Sequence, residues 1–294
     1  MTSIFEYIVD NLQGDVDENN FYPLPEGFSL SSFRNQDDKQ GSKSKINWAD
    51  GALDGVCLYH ASNRLSAMQK EKVHDIARAF LQTPQEEWEM IEEVINRYLG
   101  NNGRALIAID DFQDYLEKNQ DSDSQVRAQV NAVQIMVYSQ NIEAIKFALA
   151  VCELFETGNR IEKYSKIIYT LGLCDEFAFY TLYNLKYWDN SNELIFELAK
   201  KLHGWGRIHA VKMLKPEDND EMKEWLWLEG WKNNVMPEYS AYECYTKSGA
   251  KEIFETKGTE HDLYQGLSEE KVKAIEEMRE FCNNPNGPMP NYQV

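Results

Sequence analysis

The sequence predicts an all-α fold: an α-α superhelix, a HEAT/armadillo-like solenoid, with an irregular N-terminal arm. Three observations lead there. Apolar residues recur at helical spacing in segment after segment, the breaks between these segments are short, and no alternating strand pattern persists.

The chain opens with an apolar stripe, Ile4, Phe5, Ile8, Val9 and Leu12, that predicts a short amphipathic helix. The run Tyr22-Pro23-Leu24-Pro25-Glu26-Gly27 then breaks any regular element, and Asn35 to Lys45 is polar and flexible in composition. Phe21, Phe28 and Phe33 need a surface to bury against, so this arm is expected to drape over the main body. From about Ile46 the helices follow one another. Trp88, Ile91, Ile95 and Tyr98 form one stripe, Ile142, Ile145, Leu149, Cys152 and Phe155 a second, and Val272, Ile275, Met278 and Cys282 a third. Thr83-Pro84 is expected to start a helix with a cap and a first-turn proline. Breaks are expected at Gly100 to Gly103, Asp121 to Ser124, Thr157 to Asn159, Asp189 to Asn192 and Lys215 to Asp218. The stretch from Ala105 to Ile109 is β-capable alone, but Phe112, Tyr115 and Leu116 continue it at helical spacing. Helices of roughly 10 to 17 residues joined by loops of about 2 to 5 imply antiparallel neighbours. The organisation expected is an N-terminal helix and arm over 1–47, a helical-repeat domain over 48–283 and an extended tail over 284–294.

Composition narrows the function. Lys and Arg number 30 against 49 Asp and Glu, a formal net charge of −19. That balance disfavours nucleic acid, whose binding rests on cations meeting phosphates, and also an anionic membrane surface. It suits solubility or a basic protein or peptide. No run of about 18 apolar residues is present to span a membrane. Met1 to Gln13 carries Glu6 and Asp10 and no basic n-region, which argues against a signal peptide. Cys57, Cys152, Cys174, Cys244 and Cys282 are scattered, without a C-x-x-C pair, as expected of small buried hydrophobes in a cytoplasmic protein.

Arg207-x-x-Ala210-x-x-x-Leu214 matches the HEAT pattern Arg-x-x-Ala-x-x-x-Leu, and Val126-Arg127-x-x-Val130 gives a second instance with Gln134 where Leu would stand. The two arginines are 80 residues apart, about two repeats of the HEAT period, yet they fall on opposite members of their helix pairs. The repeats are therefore degenerate, or one break is misplaced.

Gly204-Trp205-Gly206-Arg207-Ile208-His209-Ala210-Val211, with Trp225-Leu226-x-x-Glu229-Gly230 and Asn233-Asn234-Val235-Met236-x-Glu238-Tyr239-x-Ala241-Tyr242, resembles a bacterial family of HEAT-like helical proteins of uncharacterised function. Trp48 to Gly55 and Tyr59-His60 resemble its N-terminal signature, and the likeness covers roughly residues 46 to 250. Some members carry the automatic label "limonene hydroxylase". The residues do not support that label here: no cysteine has the Gly-flanked setting of a haem thiolate, and there is no G-x-G-x-x-G or βαβ unit for a flavin or nicotinamide. The resemblance supplies no catalytic residues, and no cofactor is expected.

Four constellations remain. His74-Asp75, with His60 upstream and Asp110 or Asp111 downstream, has the composition of an HD-type metal-dependent phosphohydrolase, whose metal would activate water and neutralise phosphate charge. The charged run Gln69 to Lys72 and the short gap between the histidines weigh against it, and a His at the edge of an amphipathic helix is the simpler reading. Asp50 and Asp54, with His60 beyond, could approach a cation together, though Asp50 before Gly51 more simply caps a helix. His203 and His209, six apart, fall on different faces. Finally, Arg207, His209, Glu229, Asn233, Asn234, Glu238, Tyr239 and Tyr242 cluster in the family-like block, with Glu238, Tyr239 and Tyr242 expected on one helical face. Aromatic and carboxylate groups together can grip a basic peptide, although Arg207 can equally bond a neighbouring repeat and Asn233-Asn234 can mark a turn. Trp225, Trp227 and Trp231 cannot share one face, so one is exposed or a C-terminal segment covers it. The leading expectation is a binding or scaffold module with an acidic surface for a basic partner. The enzyme alternative is the phosphohydrolase at His60, His74 and Asp75, and helical-repeat DNA repair is disfavoured by charge.

Overall fold

The computed structural model describes residues 2–14, 22–34, 48–61, 64–256 and 266–283. Every regular element among them is helical, in agreement with the periodicity. Phe21, the polar stretch from Asn35 to Lys45 and the tail from 284 onward lie outside the described residues. The chain divides into two compact units, Met1–Asp189 and Asn190–Val294. Their boundary falls at the Asp189 to Asn192 break, inside the stretch the sequence reads as one helical domain.

The first unit holds α1 (Ile4–Asp10), α2 (Ala52–His60), α3 (Ala67–Gln82), α4 (Glu89–Leu99), α5 (Ala105–Asn119), α6 (Ser122–Tyr138), α7 (Ile142–Leu154), α8 (Thr157–Arg160), α9 (Glu162–Gly172) and α10 (Asp175–Leu185). Ser3 and Glu6 form a capping box that fixes the start of α1. Ile4 and Ile8 point inward as the stripe predicts, while Val9 turns to solvent. Beyond α1, Leu24 and Leu30 are buried, and Phe28 and Phe33 place their rings 5.4 and 5.3 Å from Tyr7. The described part of the arm thus lies against the helices.

Two boundaries differ from expectation. Thr83 closes α3 rather than opening the next helix, and a single 3-10 turn, Gln85–Glu87, precedes α4. The Thr157 to Asn159 break is itself a helical turn, α8, entered through Glu156 at φ 49°.

Helix α7 is the core of this unit and packs against α5, α6 and α10. All its residues from Ile142 to Cys152 are buried, as expected of a helix that is apolar on every side. Phe147 meets Phe112 edge-on at 5.0 Å, and Phe112 meets Phe80 at 5.6 Å. Truncating a ring in such a chain costs about 3–5 kcal/mol. Two residues of the buried run, Glu143 and Lys146, are charged.

The second unit holds α11 (Ser191–Lys201), α12 (Trp205–Met213), α13 (Asp220–Trp225), a π-helical turn (Leu226–Gly230), α14 (Glu238–Lys247), α15 (Ala250–Thr256) and α16 (Glu269–Cys282). The π turn and α16 together account for the tryptophans. Trp227 and Trp231 are buried; the Trp227 indole N–H donates to the Lys271 carbonyl at 2.9 Å, and Trp231 meets the Phe281 ring at 5.6 Å. Trp225 is half-buried against Phe196. The C-terminal helix covers Trp227 and Trp231, while α11 covers Trp225.

Candidate functional site

The chemistry concentrated in the first unit surrounds Lys146. Its ammonium has three donors. They meet three carboxylates: Glu176 Oε1 at 2.6 Å, Asp54 Oδ2 at 2.8 Å and Glu143 Oε1 at 3.0 Å. Helix α7 supplies Glu143 and Lys146, α2 supplies Asp54 and α10 supplies Glu176. The second oxygens of both glutamates are also engaged, and the same Asp54 oxygen accepts again. Glu143 Oε2 accepts the Ala105 N–H at 2.7 Å, satisfying the start of α5. Glu176 Oε2 accepts the Gly51 N–H at 2.8 Å, and the Tyr180 hydroxyl donates to Asp54 at 2.8 Å.

A second cation comes from the arm. Arg34 Nη2 donates to Asp50 Oδ1 at 2.7 Å and to Glu176 Oε2 at 2.9 Å, and its Nη1 donates to the Trp48 carbonyl. Asp50 does not cap α2, whose N-cap is Gly51 at φ 75° with no side-chain bond. It turns instead toward the arm, where Asp50 Oδ2 accepts the Leu30 N–H at 3.0 Å. Asp50 and Asp54 do approach cations, but the cations are the chain's own Arg34 and Lys146. His60 ends α2 as an exposed residue.

Four carboxylates thus face two cations, an excess of two negative charges when all are ionised. Burial raises the Asp50 carboxyl to about 6, with the nearby Glu176 adding to the effect. Burial likewise raises Asp54, against the pull of Lys146. At Glu176 burial is outweighed by Lys146 and Arg34, and its carboxyl sits below the ordinary value. Burial alone would lower Lys146, but Asp54, Glu143 and Glu176 overcome it and hold the ammonium well above the ordinary lysine value. The network therefore holds a fixed cation and an acid, Asp50, that titrates near pH 6.

Arg34, Glu143 and Glu176 also border a cleft of about 520 Å³. Glu92, Asn96, Asn141 and Arg104 line it further. Burial raises the Glu92 carboxyl, which accepts the Ser139 hydroxyl.

The residues singled out by the sequence have other placements. Arg207 donates to the carbonyls of Ala199 (3.2 Å), Lys200 (3.3 Å) and Lys232 (2.8 Å), and its guanidinium lies 5.5 Å from the Trp225 ring. It closes the C-terminus of α11. His209 is buried, and burial followed by Lys212 lowers its pKa to about 4, so the ring is neutral near pH 7. Asn233 Oδ1 accepts the N–H groups of Val235 and Met236, and its amide donates to the Ser240 hydroxyl; it builds the turn before α14. The Asn234 N–H donates to the His203 carbonyl at 2.8 Å. Glu229 pairs with Lys232 at 2.8 Å. Glu238, Tyr239 and Tyr242 do not share a face: Tyr239 turns inward to the Trp205 ring at 5.1 Å, while Tyr242 is 38% exposed. Successive helical residues diverge by about 100°, which separates Tyr239 from its neighbour Glu238.

The proposed metal grouping is not assembled. His74 lies against the Tyr115 ring at 4.7 Å, Asp75 pairs with Arg78, and Asp111 pairs with Lys70 at 2.7 Å. Among the described residues no three His, Cys, Asp or Glu side chains are placed to hold a metal ion. Cys152, Cys174 and Cys244 are buried as expected, and none of the five cysteines is in a disulfide.

Sequence reasoning passed over Arg34, Glu143, Lys146 and Glu176. A signal was present for two of them: Glu143 and Lys146 interrupt an otherwise apolar run, Ile142 to Cys152, at a spacing of one helical turn. Compared with known proteins, the chain matches no family model, no curated protein and no solved structure.

Proposed function

We propose that the chain is an α-α superhelix of the HEAT or armadillo type that acts as a binding module for a basic protein segment, and that the cleft beside the Lys146 network receives that segment's cationic side chain. The observation that carries the reading is a 520 Å³ cleft whose wall brings Glu92, Glu143 and Glu176 against Arg34 and Arg104, backed by the network in which carboxylates outnumber cations. A desolvated anionic wall favours a cation far more than exposed carboxylates do. The net charge of −19 adds long-range attraction for the same partner.

Two arginines support the superhelical part of the reading. Arg127 on α6 donates to the Leu81 carbonyl in the last turn of α3 at 2.7 Å, and Arg207 on α12 does the same work for α11. Each closes the C-terminus of a helix packed against its own.

The test is titration of a labelled Arg- and Lys-rich peptide by fluorescence anisotropy at low and moderate salt. Binding that weakens with salt, and that Glu92→Gln weakens further, is expected. Equal binding of a charge-reversed peptide, or no effect of Glu92→Gln, overturns the reading.

A further inference from the structure

Arg34 sits at a point where the arm is already anchored by other residues. Leu24 and Leu30 are buried, and Phe28 and Phe33 lie against Tyr7. Arg34 stands four residues past Leu30, on the cleft wall, so its side chain can leave without unseating Leu30. Its acceptors come from two other places in the chain: Trp48 and Asp50 before α2, and Glu176 in α10.

The two carboxylate acceptors are held by bonds that do not involve Arg34. Asp50 accepts the Leu30 N–H, and Glu176 accepts the Gly51 N–H and the Lys146 ammonium. Their side chains are 6% and 7% exposed. The receptor is therefore organised before its occupant arrives, which is the condition for tight binding of a small group. Its pattern is also selective. One guanidinium nitrogen reaches two carboxylates while another reaches a backbone carbonyl, an arrangement that fits a planar fork better than a compact ammonium.

We propose that Asp50, Glu176 and the Trp48 carbonyl form an arginine receptor that Arg34 fills from within the chain, and that an arginine of the basic partner enters by exchanging with Arg34. This rests on the binding reading above and deepens it: the partner's determinant is arginine rather than lysine, and the arm is an internal competitor. If Arg34 vacates the receptor one-tenth of the time, removing it raises the apparent affinity for the partner about tenfold.

The experiment uses the full chain in three forms: wild type, Arg34→Ala and Arg34→Ala/Glu176→Gln. Methylguanidine and methylammonium are the small probes, read by thermal unfolding and calorimetric titration. Methylguanidine is expected to raise the unfolding temperature of Arg34→Ala, to do so in the wild type only at about tenfold higher concentration, and to lose its effect in the double variant; methylammonium is expected to do less. An Arg-containing peptide is expected to bind Arg34→Ala about tenfold more tightly than wild type, and its all-Lys counterpart is not. Should Arg34→Ala not fold, Arg34→Lys keeps the charge without the fork and is expected to bind methylguanidine more tightly than the wild type does. Equal methylguanidine response in wild type and either Arg34 variant overturns the receptor. Methylguanidine binding without peptide binding keeps the receptor and removes the basic-partner reading. Equal peptide binding by wild type and Arg34→Ala keeps the basic partner and removes the exchange.

Discussion

The first unit and the second use buried charge in opposite ways. Around Lys146 and Arg34, cations meet carboxylates, and the groups left over are acidic. Around Arg207, a cation meets three backbone carbonyls and an indole face. The second arrangement completes a helix end. The first leaves an electrostatic imbalance beside an open cleft. Arginine at a conspicuous motif position can therefore be architectural, while lysine in an unremarkable apolar run marks the region where buried carboxylates gather.

The comparison breaks most sharply at Lys146. Lys146→Met leaves three buried carboxylates without their cation and is expected to destabilise the first unit by about 3–5 kcal/mol, read by urea unfolding. A loss under 1 kcal/mol would mean the carboxylates take up protons or rearrange at little cost, and the contrast between the units would fail. Arg207→Met is expected to cost less, about 1–3 kcal/mol, because the carbonyls it leaves are partly reachable by water. A larger loss than at Lys146 would invert the comparison.

Asp50 sharpens it through pH. Its folded pKa, about 6, lies above its ordinary value, so the folded state holds the proton more tightly than the unfolded chain. The stability of wild type relative to Asp50→Asn is then greatest below about pH 4 and falls, by about 3 kcal/mol at most, as pH rises through 6. The groups facing Asp50 are Glu176, Asp175, Arg34, the Leu30 N–H and the Cys174 thiol. Glu176, whose pKa is lowered, gains stability in the opposite direction, and the difference between wild type and variant removes most of it. A flat difference curve between pH 4 and 7 would show that Asp50 ionises normally.

The helices were legible because each buries one stripe at a 3.6-residue period, and the stripes at Ile91 to Tyr98 and Ile142 to Phe155 are buried as read. The site was not legible, for a physical reason. Arg34 and Glu176 are 142 positions apart, and Lys146 meets Asp54 and Glu176 through pairings that no local period encodes. Charged residues in a helical pattern ordinarily mark the solvent face, so Glu176 reads as surface until α10 is seen packed against α7. The Gly204 to Tyr242 block drew attention because its residue types are rare, yet Arg207 and Asn233 are occupied by backbone groups and Tyr239 by the Trp205 ring.

Helix α7 also sets a clock for the first unit. With every residue from Ile142 to Cys152 enclosed by neighbours, its amides reach water only when those neighbours separate. Lys146 ties that separation to α2 and α10 as well, since opening any one of them strands a charge away from its partners. The deuterium uptake of this eleven-residue run should therefore follow the global unfolding rate of the unit rather than local fraying, and peptides from α2 and α10 should exchange in step with it.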